Sequence, residues 1–196
     1  WTRAIPKTSR LRIHPNEYLT ACKQRYGWKV YEKGTKCNLC GTEMDEYGLH
    51  ALHCKKGNGW NVDHNLIRNT IHYWARKSLF VSEREKPGLL DSGRKPADIY
   101  IYNYLDSTDY ALDVTIVSPF KDSEMRFSAQ EHLYAADEAS RRKREYYRDD
   151  IRDKPWMFQP IAFERSGGFS KPSRLLVKIL AKAVSSNYNL PTQILS

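Results

Sequence analysis

The run CNLCGTEMDEYGLHALHC, at positions 37–54, constrains the fold of this chain more than any other segment. Two residues separate Cys37 from Cys40, nine separate Cys40 from His50, and three separate His50 from Cys54. Thiolate and imidazole are the ligands that Zn²⁺ prefers, and four of them leave no position open for a substrate. The spacing therefore predicts a structural zinc site made by these four side chains, in the form of a CCHC zinc knuckle.

Alternatives remain open for this run. His53 competes with His50 as the imidazole ligand, but His50 leaves one helical turn before Cys54. The cysteines could also be reduced thiols that are merely close in sequence. A disulfide framework fits less well, because Cys22 lies far from the other three cysteines. Cys22 is predicted to lie on an amphipathic helix and to face the core.

Composition favours a nucleic-acid binder over a metabolic enzyme. The 196 residues carry a net charge of +9, and aromatic residues make up 12% of them, including 13 tyrosines. Basic surface interleaved with aromatic rings suits a polyanionic partner. No apolar run is long enough for a membrane span or a signal peptide, so we expect no membrane partner. The chain begins at Trp1 without a methionine, which suggests a fragment of a longer protein.

Hydrophobic periodicity predicts an α/β order of elements. The expected helices cover 16–26, 63–79, 124–148 and 173–187. The expected strands cover 80–85, 97–104, 110–118 and 156–164. We therefore expect a basic arm, a helix and the zinc knuckle in residues 1–59. Residues 60–196 are expected to form a second domain, in which a mixed sheet carries helices on both faces.

Two of the predicted strands carry an aspartate each, Asp98 and Asp113. A hairpin centred between Leu105 and Asp106 would pair 98 with 113, 99 with 112 and 101 with 110. Opposed like charges destabilise a strand pair, and a buried carboxylate stays ionised only when it is paired or bound to metal. The pair therefore favours a cradle for Mg²⁺ or Mn²⁺, which bind oxygen ligands. Alternatively, Asp113 lies at a sheet end and bonds solvent or a backbone amide.

Pro-Ala-Asp on one strand and Asp-x-Thr on the next resemble the PD-(D/E)xK superfamily, the restriction-like endonucleases. The C-x2-C…H-x3-C knuckle, with His64 and Arg68 on the next helix, narrows the resemblance to the C-terminal endonuclease region of non-LTR retrotransposon reverse transcriptase proteins. The resemblance covers about residues 18–168. It implies a restriction-endonuclease-like fold and divalent-metal-dependent hydrolysis of DNA phosphodiesters at Asp98 and Asp113.

In that family the endonuclease nicks a chromosomal target, and the freed 3′-OH primes reverse transcription. The resemblance therefore implies a double-stranded DNA target as partner. It also implies element RNA and an upstream reverse transcriptase domain of the same polypeptide as further partners. The expected location is the nucleus, where thiols remain reduced.

One position departs from the family pattern. Thr115 stands where PD-(D/E)xK nucleases have a lysine, two residues after the second acidic position. The resemblance suggests that the following helix supplies this lysine, with Lys143 as the candidate and Tyr146 or Tyr147 beside it. Positions 143 and 147 share one face of a helix. Lys121 is a poorer rival, because it lies beyond the strand end.

Three further residues are weaker candidates. Glu83 alternates with Glu85 on the first predicted strand, and Glu83 is taken as a third acidic catalytic residue, although the two could equally face solvent. His64 could contact phosphate or water, or make a structural bond. Glu164 resembles a family position whose role the sequence does not reveal.

Basic residues supply candidate DNA contacts, because phosphate binding draws on Lys and Arg side chains. The candidates are Arg10, Arg12, Lys55, Lys56, Arg68, Lys95, Arg141 and Arg142. Such runs are also common on solvated faces. The main alternative function is a catalytically inactive, zinc-containing nucleic-acid-binding module of a larger reverse transcriptase protein. A junction-resolving or repair nuclease on the same fold is a third.

Overall fold

The structure of the protein, a computed structural model, describes residues 9, 12–52, 54, 56–57 and 59–188. The chain divides into two compact units, Trp1–Gly57 and Asn58–Ser196. Across the described ranges, every helix is too short or too polar to span a lipid bilayer.

The first unit contains helix α1 (Pro15–Tyr26), a 3-10 turn at His50–Leu52 and an isolated antiparallel bridge between Lys36 and Glu43. The ring of His14 accepts a hydrogen bond from the Asn16 amide at the start of α1, so His14 and not Asn16 is the N-cap. Proline at the first helical position suits this start, because its ring presets a helical φ angle.

The predicted apolar face of α1 is wrong. Tyr18, Leu19 and Tyr26 are 42, 52 and 60% exposed, and Cys22 is only half-buried. Among the described residues of the first unit, Met44 is the one buried apolar side chain. A unit of this size has little interior, so its helix keeps its apolar residues at the surface.

The second unit is built on a four-stranded mixed sheet. Its strands are β1 (Ser82–Arg84), β2 (Ile99–Leu105), β3 (Thr108–Val117) and β4 (Met157–Glu164), and they lie in the order β1-β2-β3-β4. The first three strands pair antiparallel, whereas β4 pairs parallel with β3. A parallel neighbour requires a long crossover, and the chain from β3 to β4 supplies it with helices. The predicted α/β architecture with a mixed sheet is confirmed.

Helices cover both faces of this sheet. They are α2 (Gly59–Lys77) and α5 (Lys171–Asn187) on one face and α4 (Tyr134–Ile151) on the other, while α3 (Asp122–Ser128) packs against α4. Ile99, Ile101 and Leu112 pack against α2 and α5 on one face, while Tyr100 and Ala111 pack against Tyr147 of α4 on the other. This division follows from strand geometry, because successive side chains point to opposite faces of a sheet.

The hairpin register at Asp98 and Asp113 is the predicted one. Ile99 pairs with Leu112 and Ile101 pairs with Tyr110. The turn itself lies one residue later than predicted, at Asp106 and Ser107, whose φ angles of 49° and 56° are those of a tight hairpin turn. An irregularity in β2, where Asn103 has a φ of 47°, accommodates the difference.

The single long helix predicted over 124–148 is wrong, because residues 129–133 separate α3 from α4. Leu133 has a φ of 67°, a left-handed conformation that interrupts the helical path immediately before α4 begins. Phe127 stacks on Tyr134 across the break, with ring centroids 5.1 Å apart. Aromatic stacking and burial of Leu133 outweigh the helical propensity of this segment.

The predicted inward face of the helix after the knuckle is too wide. Ile71 and Ala75 of α2 are buried, but Leu66, Trp74 and the following Leu79 are 63, 44 and 73% exposed. A helix on a flat sheet buries one narrow stripe, here the line of positions 67, 71 and 75. Apolar residues beside this stripe remain at the surface.

Candidate functional site

The structure brings Cys37, Cys40, His50 and Cys54 together in the first unit. One potential ligand atom from each lies within 4.8 Å of all the others, and this group can bind a metal ion such as zinc. The sulfurs of Cys37 and Cys54 are 3.8 Å apart, and Cys40 Sγ is 3.2 Å from His50 Nε2. Zn–S bonds of about 2.3 Å in a tetrahedral site separate two sulfurs by about 3.8 Å. His53, the rival ligand, lies outside the described residues.

Hydrogen-bond donors around the knuckle favour the thiolate form of two of its three cysteines, Cys37 and Cys40. Thr42, through its hydroxyl and its backbone N–H, lowers the pKa of Cys40 to about 6. The backbone N–H groups of Cys40 and Leu39 lower the pKa of Cys37. The thiolate is the form of cysteine that binds metal, so these donors favour the binding-competent state.

Asp45 organises the loop between the two halves of the knuckle. Its carboxylate accepts hydrogen bonds from the backbone N–H groups of Tyr47, Leu49 and His50 at 3.0, 2.9 and 2.6 Å. Burial opposes the charge, but these donors outweigh it and lower the pKa of Asp45. An ionised Asp45 therefore fixes the backbone that presents His50 to the three cysteines.

A second candidate site lies in the second unit, in an open cleft of about 360 Å³. Its walls come from the start of α2, from the residue before β2, from β3 and from α4. The lining residues are Trp60, Asn61, His64, Asp98, Asp113, Val114, Thr115, Ile116 and Lys143. Two predicted acids and the predicted lysine thus meet in one cleft.

Two hydrogen-bond partners hold the carboxylate of Asp98, the residue immediately before β2. Its Oδ2 accepts a hydrogen bond from the Val114 amide at 2.7 Å and lies 3.1 Å from His64 Nε2. Within the described part of the chain, the polar contacts of this carboxylate all involve Oδ2, so Oδ1 remains available to a ligand. His64 therefore belongs to the cleft.

Asp113 is the buried acid of the cleft, and its residue is only 6% exposed. Its Oδ1 accepts a hydrogen bond from Lys143 Nζ at 3.1 Å, and its Oδ2 accepts one from the Thr115 hydroxyl at 3.2 Å. Burial raises the pKa of Asp113, the Lys143 charge opposes the rise, and the Asp98 charge adds to it. A bound cation would relieve the repulsion that the Asp98 charge adds at Asp113.

The cleft contains donors of the class that divalent cations accept. Carboxylate and hydroxyl oxygens are ligands of Mg²⁺ and Mn²⁺, and Asp98, Asp113 and Thr115 line the cleft. In the ranges that the structure describes, the Cys₃His group is nevertheless the only set of three or more His, Cys, Asp or Glu ligand atoms that lies this close together. Water and phosphate oxygens would have to complete the coordination of a cation in the cleft.

Other candidate catalytic residues lie outside the cleft lining. The Tyr102 hydroxyl donates to Glu83, and Glu85 forms an ion pair with Arg68, so each glutamate already has a partner. Tyr147 is buried, and its hydroxyl donates to the Lys95 carbonyl at 3.2 Å. That bond holds the segment that leads into Asp98.

The described candidates for DNA contact are either exposed or engaged in ion pairs, as Arg68 is with Glu85. Arg12, Lys56 and Lys95 are exposed, whereas Arg10 and Lys55 lie outside the described residues. Arg141 pairs with Glu138 and Glu145, and Arg142 pairs with Glu138 and Glu124. These acids neutralise part of the basic run on α4.

Sequence reasoning missed the two cleft residues on α2 that precede His64. Trp60 and Asn61 line the cleft from the first turn of α2, one turn before His64. Their helical spacing from His64 was the available signal, because residues three and four apart share a helix face. Lys121, the rival lysine, lies beside the cleft with its Nζ 5.4 Å from the Trp60 ring centroid.

No protein-family model matches the chain, and no curated protein is significantly similar to it.

Proposed function

We propose that this protein is a divalent-metal-dependent DNA endonuclease with a restriction-endonuclease-like fold and a structural zinc knuckle. The observation that carries the proposal is the meeting of Asp98, Asp113 and Lys143 in one open cleft. These residues come from three separate segments, and a structural role alone does not require two carboxylates and a lysine to face one cavity. Buried charge of this kind is concentrated at functional sites.

Each residue has a defined part in phosphodiester hydrolysis. Asp98 and Asp113 would hold Mg²⁺ or Mn²⁺, which when bound supplies Lewis-acid stabilisation of charge on the scissile phosphate. Thr115 fixes the Asp113 carboxylate through its hydroxyl. The Lys143 ammonium, already beside Asp113, can donate a hydrogen bond to a phosphate oxygen or to the attacking water.

The resemblance to non-LTR retrotransposon proteins supports a biological setting for this chemistry. In that setting the protein nicks a double-stranded DNA target, and the freed 3′-OH primes reverse transcription of element RNA. The partner domain is a reverse transcriptase upstream in the same polypeptide, and the site of action is the nucleus. The net charge of +9 suits contact with either nucleic acid.

Nicking of supercoiled plasmid in Mg²⁺ or Mn²⁺ tests the proposal. Asp113→Asn keeps the size of the side chain but removes its charge, and we expect it to lower the nicking rate about 100-fold or more. Asp91→Asn is the matched control, because the Asp91 side chain is 99% exposed and lies outside the cleft lining. DNA binding is measured in parallel by electrophoretic mobility shift.

The outcomes separate two functions. Normal binding with lost nicking in Asp113→Asn supports the endonuclease, whereas undiminished nicking by this variant would refute the assigned site. If the wild type binds DNA but nicks neither plasmid nor an intended target, the protein is a zinc-containing nucleic-acid-binding module. The Cys₃His group and the basic charge favour that second function.

A further inference from the structure

We propose that two adjacent residues at the end of β4, Glu164 and Arg165, are positioning residues for the acidic cleft. Glu164 holds the first turn of α4 and thereby places Lys143. Arg165 holds the first turn of α2 and thereby places His64. The catalytic meaning of the cleft rests on the proposed nuclease function, but the positioning itself does not.

The backbones of Glu164 and Arg165 both contact β3, the strand that carries Asp113. Glu164 is the last residue of β4 and pairs with Val117 in the parallel register with β3. The Arg165 amide donates to the Val117 carbonyl at 2.9 Å. Any group that Glu164 and Arg165 hold is therefore held in a constant position relative to β3 and Asp113.

Glu164 takes the place of a helix cap. The residue before α4, Leu133, has no side-chain acceptor for the unpaired N–H groups of the first turn. Glu164 Oε1 accepts the Ala136 amide at 3.4 Å, and its Oε2 accepts the Ser166 hydroxyl at 2.9 Å. A carboxylate at this end also interacts favourably with the helix dipole.

The helix transmits this position to the cleft. Lys143 follows Ala136 by seven residues, about two turns of an α-helix, so both lie on the same helix face. That face is directed at the sheet, because Ala136 is fully buried and Lys143 reaches Asp113. A shift or fraying of the first turn of α4 would therefore move the ammonium away from Asp113.

Arg165 contacts the other helix at two points. Its Nη2 lies 2.6 Å from Asp63 Oδ2, and its guanidinium lies 4.4 Å from the Trp60 ring centroid. The Arg165 side chain is only 14% exposed and the Asp63 side chain is 44% exposed, so the guanidinium is largely shielded from solvent while its ion pair is partly screened. His64 is the next residue after Asp63 and lies one helical turn after Trp60, so its ring is placed by the same turn.

The alternation of side chains explains how one dipeptide can serve two helices. Adjacent residues on an extended chain point to opposite faces of the sheet. Glu164 thus reaches α4 on one face, and Arg165 reaches α2 on the other. The backbone of these two adjacent residues therefore fixes the positions of both helices that border the cleft.

The test measures the two cleft residues separately by NMR, without use of cleavage. The full chain is labelled with ¹³C in its histidine rings, and in a second sample its lysines carry ¹³C-methyl groups. His64→Asn and Lys143→Arg assign the two resonances. We expect Arg165→Met to shift the His64 resonance and leave that of Lys143 unchanged, and Glu164→Ala to do the reverse.

Conservative variants distinguish positioning from general stability. Glu164→Gln keeps an acceptor for the Ala136 amide, so we expect it to retain the wild-type Lys143 resonance. Lys121→Met removes the other cation beside Trp60 without touching Asp63, so we expect no shift at His64. If Arg165→Met fails to fold, Asp63→Asn breaks the same contact from its partner. If Glu164→Ala fails to fold, Glu164→Asp withdraws the carboxylate from Ala136.

Two results would overturn the proposal. One is a folded Arg165 or Glu164 variant in which neither resonance moves. The other is an equal shift of both resonances in each variant, which would mark a general loosening of the unit. The protein could also lack nuclease activity while Arg165→Met shifts only His64 and Glu164→Ala shifts only Lys143. That result would support the positioning and refute only the proposed function.

Discussion

The ammonium of Lys143 lies 3.1 Å from a carboxylate oxygen of Asp113, although Lys143 follows Asp113 by 30 positions in the sequence. Asp113 belongs to the central strand pair and Lys143 to the helix packed on it. A buried carboxylate is costly without a partner, and Lys143 supplies the opposite charge. The strand position two residues after Asp113, where the resemblance to PD-(D/E)xK nucleases predicts a lysine, holds Thr115 instead.

This geometry predicts that a lysine on β3 can partly replace Lys143 of α4 in plasmid nicking. Lys143→Ala should lower plasmid nicking about 100-fold, because the cleft loses its only lining lysine among the described residues. Adding Thr115→Lys should restore part of the activity, because position 115 faces the same carboxylate. Initial nicking rates of the single and double variants provide the measurement.

A lysine in a different ion pair provides the control for this exchange. Lys154 bonds the exposed Asp91, so Lys154→Ala should nick at the wild-type rate. If Lys143→Ala retained full activity while remaining folded, Lys143 would have no part in catalysis.

Metal removal should affect the first unit selectively. A Cys₃His zinc site contributes directly to folding, and the first unit has little apolar core to replace it. We expect chelation, or Cys40→Ser, to make residues 12–57 sensitive to limited proteolysis while residues 59–188 remain resistant. Metal analysis of the purified protein should show one zinc per chain.

Cys22→Ser is the matched thiol control, because Cys22 lies outside the Cys₃His group. It should retain both zinc and protease resistance. A protein that keeps its protease pattern after complete zinc removal would contradict a structural role for the metal.

A side chain at Gly168 should force its neighbours to move. A Cβ atom there would lie 2.6 Å from Leu133 Cδ2 and 2.8 Å from Glu164 Oε2. Gly168→Ala should therefore lower the free energy of unfolding by about 1–3 kcal/mol, as overpacking does elsewhere. Denaturant unfolding measures the change. Gly59→Ala, which meets nothing within 4 Å, should be neutral or slightly stabilising, and equal losses in both variants would refute the steric explanation.

The ion pairs on α4 should give a stability that depends on pH. Hydrogen bonds from Arg141, against the cost of burial, and then from Arg142 lower the pKa of Glu138 to about 2. A lowered pKa means that the stabilisation is present above the ordinary glutamate value and is lost as pH falls towards about 2. Glu138→Gln should therefore be less stable than wild type at pH 7, and the difference should narrow below about pH 5.

Denaturant unfolding at several pH values between 7 and 3 checks this dependence. Glu145→Gln is the comparison, because Glu145 is 45% exposed and makes weaker, screened pairs. A difference between wild type and Glu138→Gln that stayed constant over this range would show that the charge of Glu138 does not stabilise the helix. Added salt should reduce the effect in both variants.

Local patterns were the reliable part of the sequence prediction. The four residues of the Cys₃His group lie in one short segment, so their spacing alone brings them together. The pairing of Ile99 with Leu112 likewise follows from a hairpin between neighbouring strands. The extra residues in β2 displaced the turn, because a bulge depends on packing that no alternation pattern records.

Long-range contacts were the unreliable part. The helix predicted over 124–148 breaks because Leu133 is buried beside Gly168, a contact with a segment far along the chain. The charges of Arg141 and Arg142 meet acids on their own helix and on α3, which composition alone cannot reveal. Helical propensity and charge counts describe a segment without its neighbours.

The sequence by itself determined the residues of the Cys₃His group, the strand register that opposes Asp98 and Asp113, and the order of helices and strands apart from the break between α3 and α4. These depend on spacing within one segment or between neighbouring segments. Only the tertiary structure decided that Lys143 reaches Asp113, that His64 borders Asp98, and that Glu164 and Arg165 contact the helices on opposite faces. Those contacts join distant segments, and they form only because burial of both faces of the sheet places α2 and α4 beside the same strands.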